Sequence, residues 1–343
     1  MNFKEMITND QKYEFLHTNP NIKNRIILLT LGGSYAYGTN VETSDVDIRG
    51  IALNSYSDIL GLSNFDQFEN RETDTVIYSL NKVFRLLIQC NPNVIEMLGN
   101  QPDMYLKLTE EGQLLLDNRH LFLSQRAIKT FGGYAQAQLN RLLNGLGRNS
   151  EDSLQTNLLR SLQNSMQSFN SRYSNFRQGS INYYIDTSDT SDVQKEIYCD
   201  ICLKHYPLTE FNGIIKENDT ILKTYNKLNH RNTKKDISHL CKHAMHLVRL
   251  YLTGCEILEN GTITTYRKGS EHKLLMDIRN QKYLTYDNKF NSDFFELLNR
   301  FQHRFEYACN NTNLPATPDI HKIESLIIAL NLKSIQYNKE EMI

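Results

Sequence analysis

The sequence predicts an α+β protein: a small mixed β-sheet head over residues 1–115, then a mainly α-helical domain over 116–343 with a polar insertion at about 148–235. Three observations predict it. The first 115 residues set short β-branched runs between glycine turns and short helical stretches. From Leu116 onward the apolar residues recur at helical spacing over long runs. Between 148 and 235 Ser, Asn, Thr and Tyr dominate, which suits an inserted segment with some helix better than a second core.

The elements follow in chain order. RIILLTL (25–31) is a continuous apolar run stopped by Gly32-Gly33, the pattern of a strand buried on both faces. DVDIRGIAL (45–53) alternates Val46, Ile48 and Ile51 against Asp45, Asp47 and Arg49, so a strand with one charged face is expected, with Gly50 marking a bulge. DTVIYSL (74–80) is a third strand. It leads into a helix carrying Val83, Leu86, Leu87 and Cys90, which stops before Pro92, and NVIEMLG forms a second short helix. In the helical domain the elements are LSQRAIKTFGGYAQAQLNRLLNGLG, DISHLCKHAMHLVRLYLTGCEILENG with a glycine at its end, SDFFELLNRFQHRFEYACNNT with Ser292 as N-cap, and a closing helix in PDIHKIESLIIALN.

Composition excludes several classes. At 40% hydrophobic and 22% charged residues the chain is globular rather than disordered or fibrous. A net charge of -1 rules out a basic coat for nucleic acid, so any such contact must come from a local patch. The start, MNFKEMITNDQKYEF, lacks a signal-peptide core, and IILLTL is far too short to cross a bilayer, so no membrane association and a cytoplasmic location are expected. Six cysteines are then expected to be reduced thiols.

The chemistry concentrates in LGGSYAYGTNVETSDVDIRG (31–50), where Asp45 and Asp47 follow Ser34 after eleven residues. Either half alone is common: a GGS turn ends many strands, and alternating carboxylates line many solvated ones. Together they suggest a turn for phosphates and a strand for metal. Gly33 permits close backbone approach and Ser34 offers a hydroxyl at a helix start. Asp45 and Asp47, two apart on a strand, share a face. Such a pair, with a third carboxylate from a neighbouring strand, suits Mg²⁺ or Mn²⁺ bound with substrate phosphates. Asp74 is the candidate for that third ligand and Glu72 its fallback.

On these residues the chain resembles the nucleotidyltransferases of the DNA polymerase beta superfamily, and within it the branch associated with RNA repair and RNA ligase. The segments DTVIYSLNKVFRLLIQCNPNVIEML, FGGYAQAQLNRL, KHAMHLVRLYLTGCEILENG and LPATPD extend the similarity to most of the chain outside 148–235. The resemblance implies a palm-like head and transfer of a nucleoside monophosphate from an NTP, ATP favoured, to an acceptor hydroxyl, an RNA end first of all. It puts Gly33 and Ser34 on the nucleotide phosphates, and Asp45, Asp47 and Asp74 on the metal as catalytic residues. Nucleotidylation of a protein or small molecule, or a non-catalytic nucleotide or RNA sensor, are the alternatives.

Three further clusters carry weaker expectations. Lys242, His246 and Arg249 fall on one face of a helix whose other face is apolar, and are read as triphosphate ligands. Cys199-x-x-Cys202 has the spacing of half a zinc site, with His205, His239 and Cys241 beyond it, but no second pair follows, so packed thiols are favoured over structural zinc. Lys227, His230, Arg231, Lys234 and Lys235 form a modest basic run near Tyr225 that could meet an RNA backbone, although a solvated loop is the commoner outcome.

Overall fold

The computed structural model of the chain describes residues 3–149, 166, 169–170, 179–187, 195–231 and 237–340. They fall into two compact units, Met1–Arg141 with Cys241–Ile343, and Leu142–Leu240. The first unit therefore joins the sheet to most of the helices on either side of the polar segment.

Its sheet has five strands: β1 (Ile26–Leu31), β2 (Ile48–Ala52), β3 (Gln67–Asn70), β4 (Thr75–Ser79) and β5 (Tyr105–Leu108) in the order β3-β4-β2-β1-β5. Only β2 and β4 run parallel, with Ile48 opposite Thr75; the other neighbours are antiparallel. The mixed α+β architecture is the expected one. Every residue of β1 is buried, as its unbroken apolar run requires of a strand covered on both faces. One face of the sheet presents Leu29, Leu31, Ile48, Ala52 and Ile77 to Tyr13, Leu16 and Ile22 from the N-terminal helical segments. Burying a side chain of this size is worth about 1.5–3 kcal/mol, so this layer holds the head together.

Three local expectations need correction. Strand β2 begins at Ile48, so Asp45 and Asp47 precede it. Asp47 is nonetheless held extended: its carbonyl accepts from Gly32 N–H at 2.8 Å, and the next amide, Ile48, donates to Asp74 O at 3.2 Å. The register shift of the β1–β2 pair lies between Ile26 and Leu28 rather than at Gly50. A Cβ at Gly50 would stand 2.9 Å from a Leu29 methyl, so close packing, not a bulge, is what Gly50 serves. The helix Ser292–Asn311 is capped by Asn291, whose side chain accepts from Phe294 N–H at 3.1 Å, one residue before the expected Ser292.

The second unit contains a β-ribbon of β6 (Gly179–Thr187) and β7 (Lys195–Leu203) and the helix Leu208–Arg231, around Phe169, Ile181, Ile214 and Ile221. Cys199 and Cys202 both lie exposed on β7, three residues apart and so on opposite faces. Of the basic run, Lys227, His230 and Arg231 belong to the helix, whereas Lys234 and Lys235 lie outside the described residues. No described helix is long and apolar enough to cross a membrane.

Candidate active site

The second face of the sheet carries the charged residues. After β1 the backbone turns at Gly32-Gly33 into the short helix Gly33–Tyr37. Gly33 has φ +52°, and a Cβ there would sit 1.8 Å from Asp47 Oδ2. Gly32 is tight as well, with its Cβ position 3.1 Å from Arg49 Cγ. The double glycine thus lets the turn close over the Asp47 carboxylate, a direct link between the two halves of the motif. Gly33→Ala is expected to destabilise the chain by about 1–3 kcal/mol and to displace Asp47, while Gly32→Ala, whose Cβ comes no closer than 3.1 Å to Arg49 Cγ and 3.3 Å to Asp47 Cβ, costs less. Thermal unfolding of both variants checks the order.

Asp74 stands beside Asp47 because the parallel register that pairs Ile48 with Thr75 places the two preceding residues side by side. Asp74 adopts φ 43°, in the left-handed region that Asp tolerates better than most side chains. Asp47 is pushed up to about 6: burial is the main cause, the neighbouring Asp74 adds to it, and Arg49 and Lys242 oppose it. Arg49 binds both: Nη2 lies 3.2 Å from Asp47 Oδ1 and 3.2 Å from Asp74 Oδ1. Its Nη1 donates to the carbonyls of Ile48 at 2.9 Å and Asp74 at 2.5 Å.

Asp45 is exposed two residues earlier, and Glu72 is exposed in the turn before β4. Among the described residues no three His, Cys, Asp or Glu side chains are gathered closely enough to hold a metal by themselves. The donor set at hand is two adjacent carboxylates, which suits a hard cation that completes its shell with water and phosphate oxygens. Ser34 is half-buried in the first turn of its helix, next to Gly33.

The helix Ile237–Asn260 brings Lys242, His246 and Arg249 to the same side, but into three different settings. Lys242 is exposed, with its charge felt at Asp47. Arg249, 2% exposed, pairs with Glu96 and lies 3.7 Å above the Tyr37 ring. Its Nη2 donates to His246 Nδ1 at 3.0 Å, which requires a neutral imidazole. Burial, then the Arg249 charge, depresses His246 well below the ordinary histidine range, consistent with that neutrality. Tyr37 completes the cluster by donating to Glu96 Oε2 at 2.8 Å. A cavity of about 240 Å³ runs from Gly32, Gly33 and Arg49 past Tyr78 and Asn100 to Glu96 and Thr265.

Arg49, Glu96 and Tyr37 are the contributors that sequence reasoning did not assign to the site. Arg49 had a visible signal, since it continues the Asp45, Asp47 alternation. Glu96 had one too, as the lone charge inside the apolar stretch NVIEMLG; a buried acid must find a partner.

Fold and site together define an α+β protein whose sheet offers adjacent carboxylates beside a glycine turn. The chain belongs to the RNA repair pathway DNA polymerase beta family, RlaP, which matches it over residues 7–328. It is similar, at 28% identity over 123 residues, to an uncharacterized 38.9 kDa protein from the nrdC–mobD intergenic region of Enterobacteria phage T4. That alignment covers 32% of this chain and 36% of the phage protein, so the likeness spans about a third of each. No solved structure matches the chain.

Proposed function

We propose that the chain is a metal-dependent nucleotidyltransferase that moves a nucleoside monophosphate from an NTP, ATP first, to a hydroxyl at an RNA end. The observation that carries this reading is the Asp47–Asp74 pair set against the Gly32-Gly33 turn in a member of an RNA repair family. Asp47, partly buried, and Asp74, exposed beside it, are the paired carboxylates, and the exposed Asp45 is the third, available to a cation that arrives with substrate. Mg²⁺ or Mn²⁺ held there would neutralise phosphate charge and activate the attacking hydroxyl. The acceptor oxygen bonds to the α-phosphorus, the bond to the bridging oxygen breaks, pyrophosphate leaves, and the hydroxyl proton passes to solvent or a carboxylate. Gly33 and Ser34 position the phosphates, and Lys242, on the open side, is the cation that reaches them.

Arg249 and His246 take a different place in this reading from the one their spacing suggested. Arg249 is neutralised by Glu96 and His246 is uncharged, so both support the floor of the cavity instead of binding a triphosphate.

The test is incubation of the full chain with each labelled NTP, Mg²⁺ or Mn²⁺, and RNAs with different termini. Label should enter one class of RNA end and be absent with the Asp45→Ala/Asp47→Ala double variant. Label on the protein itself or on a small molecule would move the acceptor; equal signal in parent and double variant would end the enzymatic reading.

A further inference from the structure

Arg49 makes four bonds with the four hydrogens of its two terminal nitrogens. The two on Nη1 go to backbone carbonyls, Ile48 O and Asp74 O. The two on Nη2 go to the carboxylates, Asp47 Oδ1 and Asp74 Oδ1, each at 3.2 Å. The second nitrogen therefore sits between two carboxylate oxygens, while the first is tied to main-chain carbonyls. The stem is also confined, lying against the Gly32 turn with Cγ 3.1 Å from the position a Cβ would take. The Arg49 side chain is 24% exposed, so its outer edge is open to the cavity it lines.

We propose that Arg49 is an internal cation that divalent metal exchanges for, and that the Nη2 hydrogens so released become ligands of the substrate phosphates. The inference rests on the nucleotidyltransferase reading and assigns Arg49 a positioning and nucleotide-binding role. Without metal, one guanidinium nitrogen partly neutralises two adjoining carboxylates and holds them in place. With a divalent cation held by the Asp47 and Asp74 carboxylates, the Nη1 bonds would still fix the guanidinium plane beside the glycine turn. Nη2 would then have two N–H groups free for substrate phosphate oxygens, and charge-assisted bonds of this kind are among the strong ones. A lysine cannot substitute, because one ammonium has three hydrogens and no planar fork to keep two donors anchored while freeing two.

The experiment measures Mn²⁺ binding to the full chain by the electron paramagnetic resonance of free Mn²⁺. Binding of a non-hydrolysable ATP analogue in saturating Mn²⁺ is measured alongside. Parent, Arg49→Lys, Arg49→Met and Asp47→Asn are compared. Exchange predicts that both Arg49→Lys and Arg49→Met bind Mn²⁺ about tenfold more tightly than the parent, since neither must break the forked bonds. It also predicts that both bind the analogue at least about tenfold more weakly once Mn²⁺ is present.

Arg49→Lys is the deciding variant. It keeps the charge, so an Arg49 that acts only through its field gives unchanged Mn²⁺ affinity in the lysine chain, and that result overturns the proposal. Unchanged analogue affinity in Arg49→Lys overturns the second half in the same way. The lysine chain also serves if Arg49→Met does not fold. Asp47→Asn separates this failure from that of the underlying reading. If it leaves Mn²⁺ binding of the parent intact, the metal does not use this site and both readings fall. If it abolishes binding while Arg49→Lys behaves as parent, only the exchange falls.

Discussion

An Asp47→Asn chain is expected to lose nucleotidyl transfer by about 10³-fold or more, and yet to be more stable than the parent near neutral pH without divalent metal. The loss follows from removing one of the two paired carboxylates. The gain follows from the same environment: Asp47 is raised from 3.8 to about 6, mainly by burial and then by the neighbouring Asp74. For an acid whose folded value lies above its unfolded value, the protonated form is favoured by folding. Its contribution is full below about pH 4 and is lost as pH climbs through 6. The parent at pH 7 therefore holds an ionised carboxylate in a place that disfavours it, and asparagine removes that cost. With the side chain about one-fifth exposed, screening reduces the gain to roughly 1–2 kcal/mol. Unfolding of both chains in chelator from pH 4 to 8 checks this: the curves should converge at the acid end and separate by pH 6. Added Mg²⁺ should close the gap by stabilising the parent alone. Equal stability at every pH would mean that Asp47 is not under the strain described.

The head was legible because its signals are local. RIILLTL, DVDIRGIAL and DTVIYSL gave three of the five strands, since unbroken or alternating β-branched runs leave few other options. The remaining two, Gln67–Asn70 and Tyr105–Leu108, were not found, and the reason is physical. Both are four-residue strands at the sheet edges; no residue of Gln67–Asn70 is fully buried and two of the four in Tyr105–Leu108 are exposed, so neither run is long enough to carry an unbroken or alternating apolar pattern. In the motif, spacing suggested Asp45 and Asp47 as a pair with Asp74 as a third carboxylate from a neighbouring strand; in the fold Asp74 stands beside Asp47, and Asp45 is exposed two residues earlier. That partnership is made by the parallel β2–β4 register, a non-local feature that spacing along the chain does not encode. Arg249 shows the opposite limit. Helical spacing put it on the face of Lys242, which is right, but depth along that face depends on what packs above it. A helical wheel cannot distinguish a cation that meets solvent from one that meets Glu96.

That distinction leads to the second large effect. Arg249→Met should destabilise the chain by about 3–5 kcal/mol, because it leaves Glu96 buried without its counter-charge. The pair is enclosed on both sides, at 2% and 6% side-chain exposure, so water cannot replace the lost partner. Tyr37 would remain as a donor to Glu96, but a neutral hydroxyl does not offset a buried carboxylate, and the Tyr37 ring would also lose the guanidinium stacked on it. Arg249→Lys should recover only part of the loss, since one ammonium cannot bind Glu96 and His246 together as the fork does. Glu96→Leu/Arg249→Met is the informative chain. Removing both charges takes away the unpaired carboxylate, so most of the stability should return, as measured by denaturant unfolding. If the double variant folds and still binds an ATP analogue with metal about as tightly as the parent, Arg249 belongs to the cavity floor. If it folds but binds at least about tenfold more weakly, Arg249 reaches the triphosphate after all, and the Glu96 pair must open when nucleotide arrives.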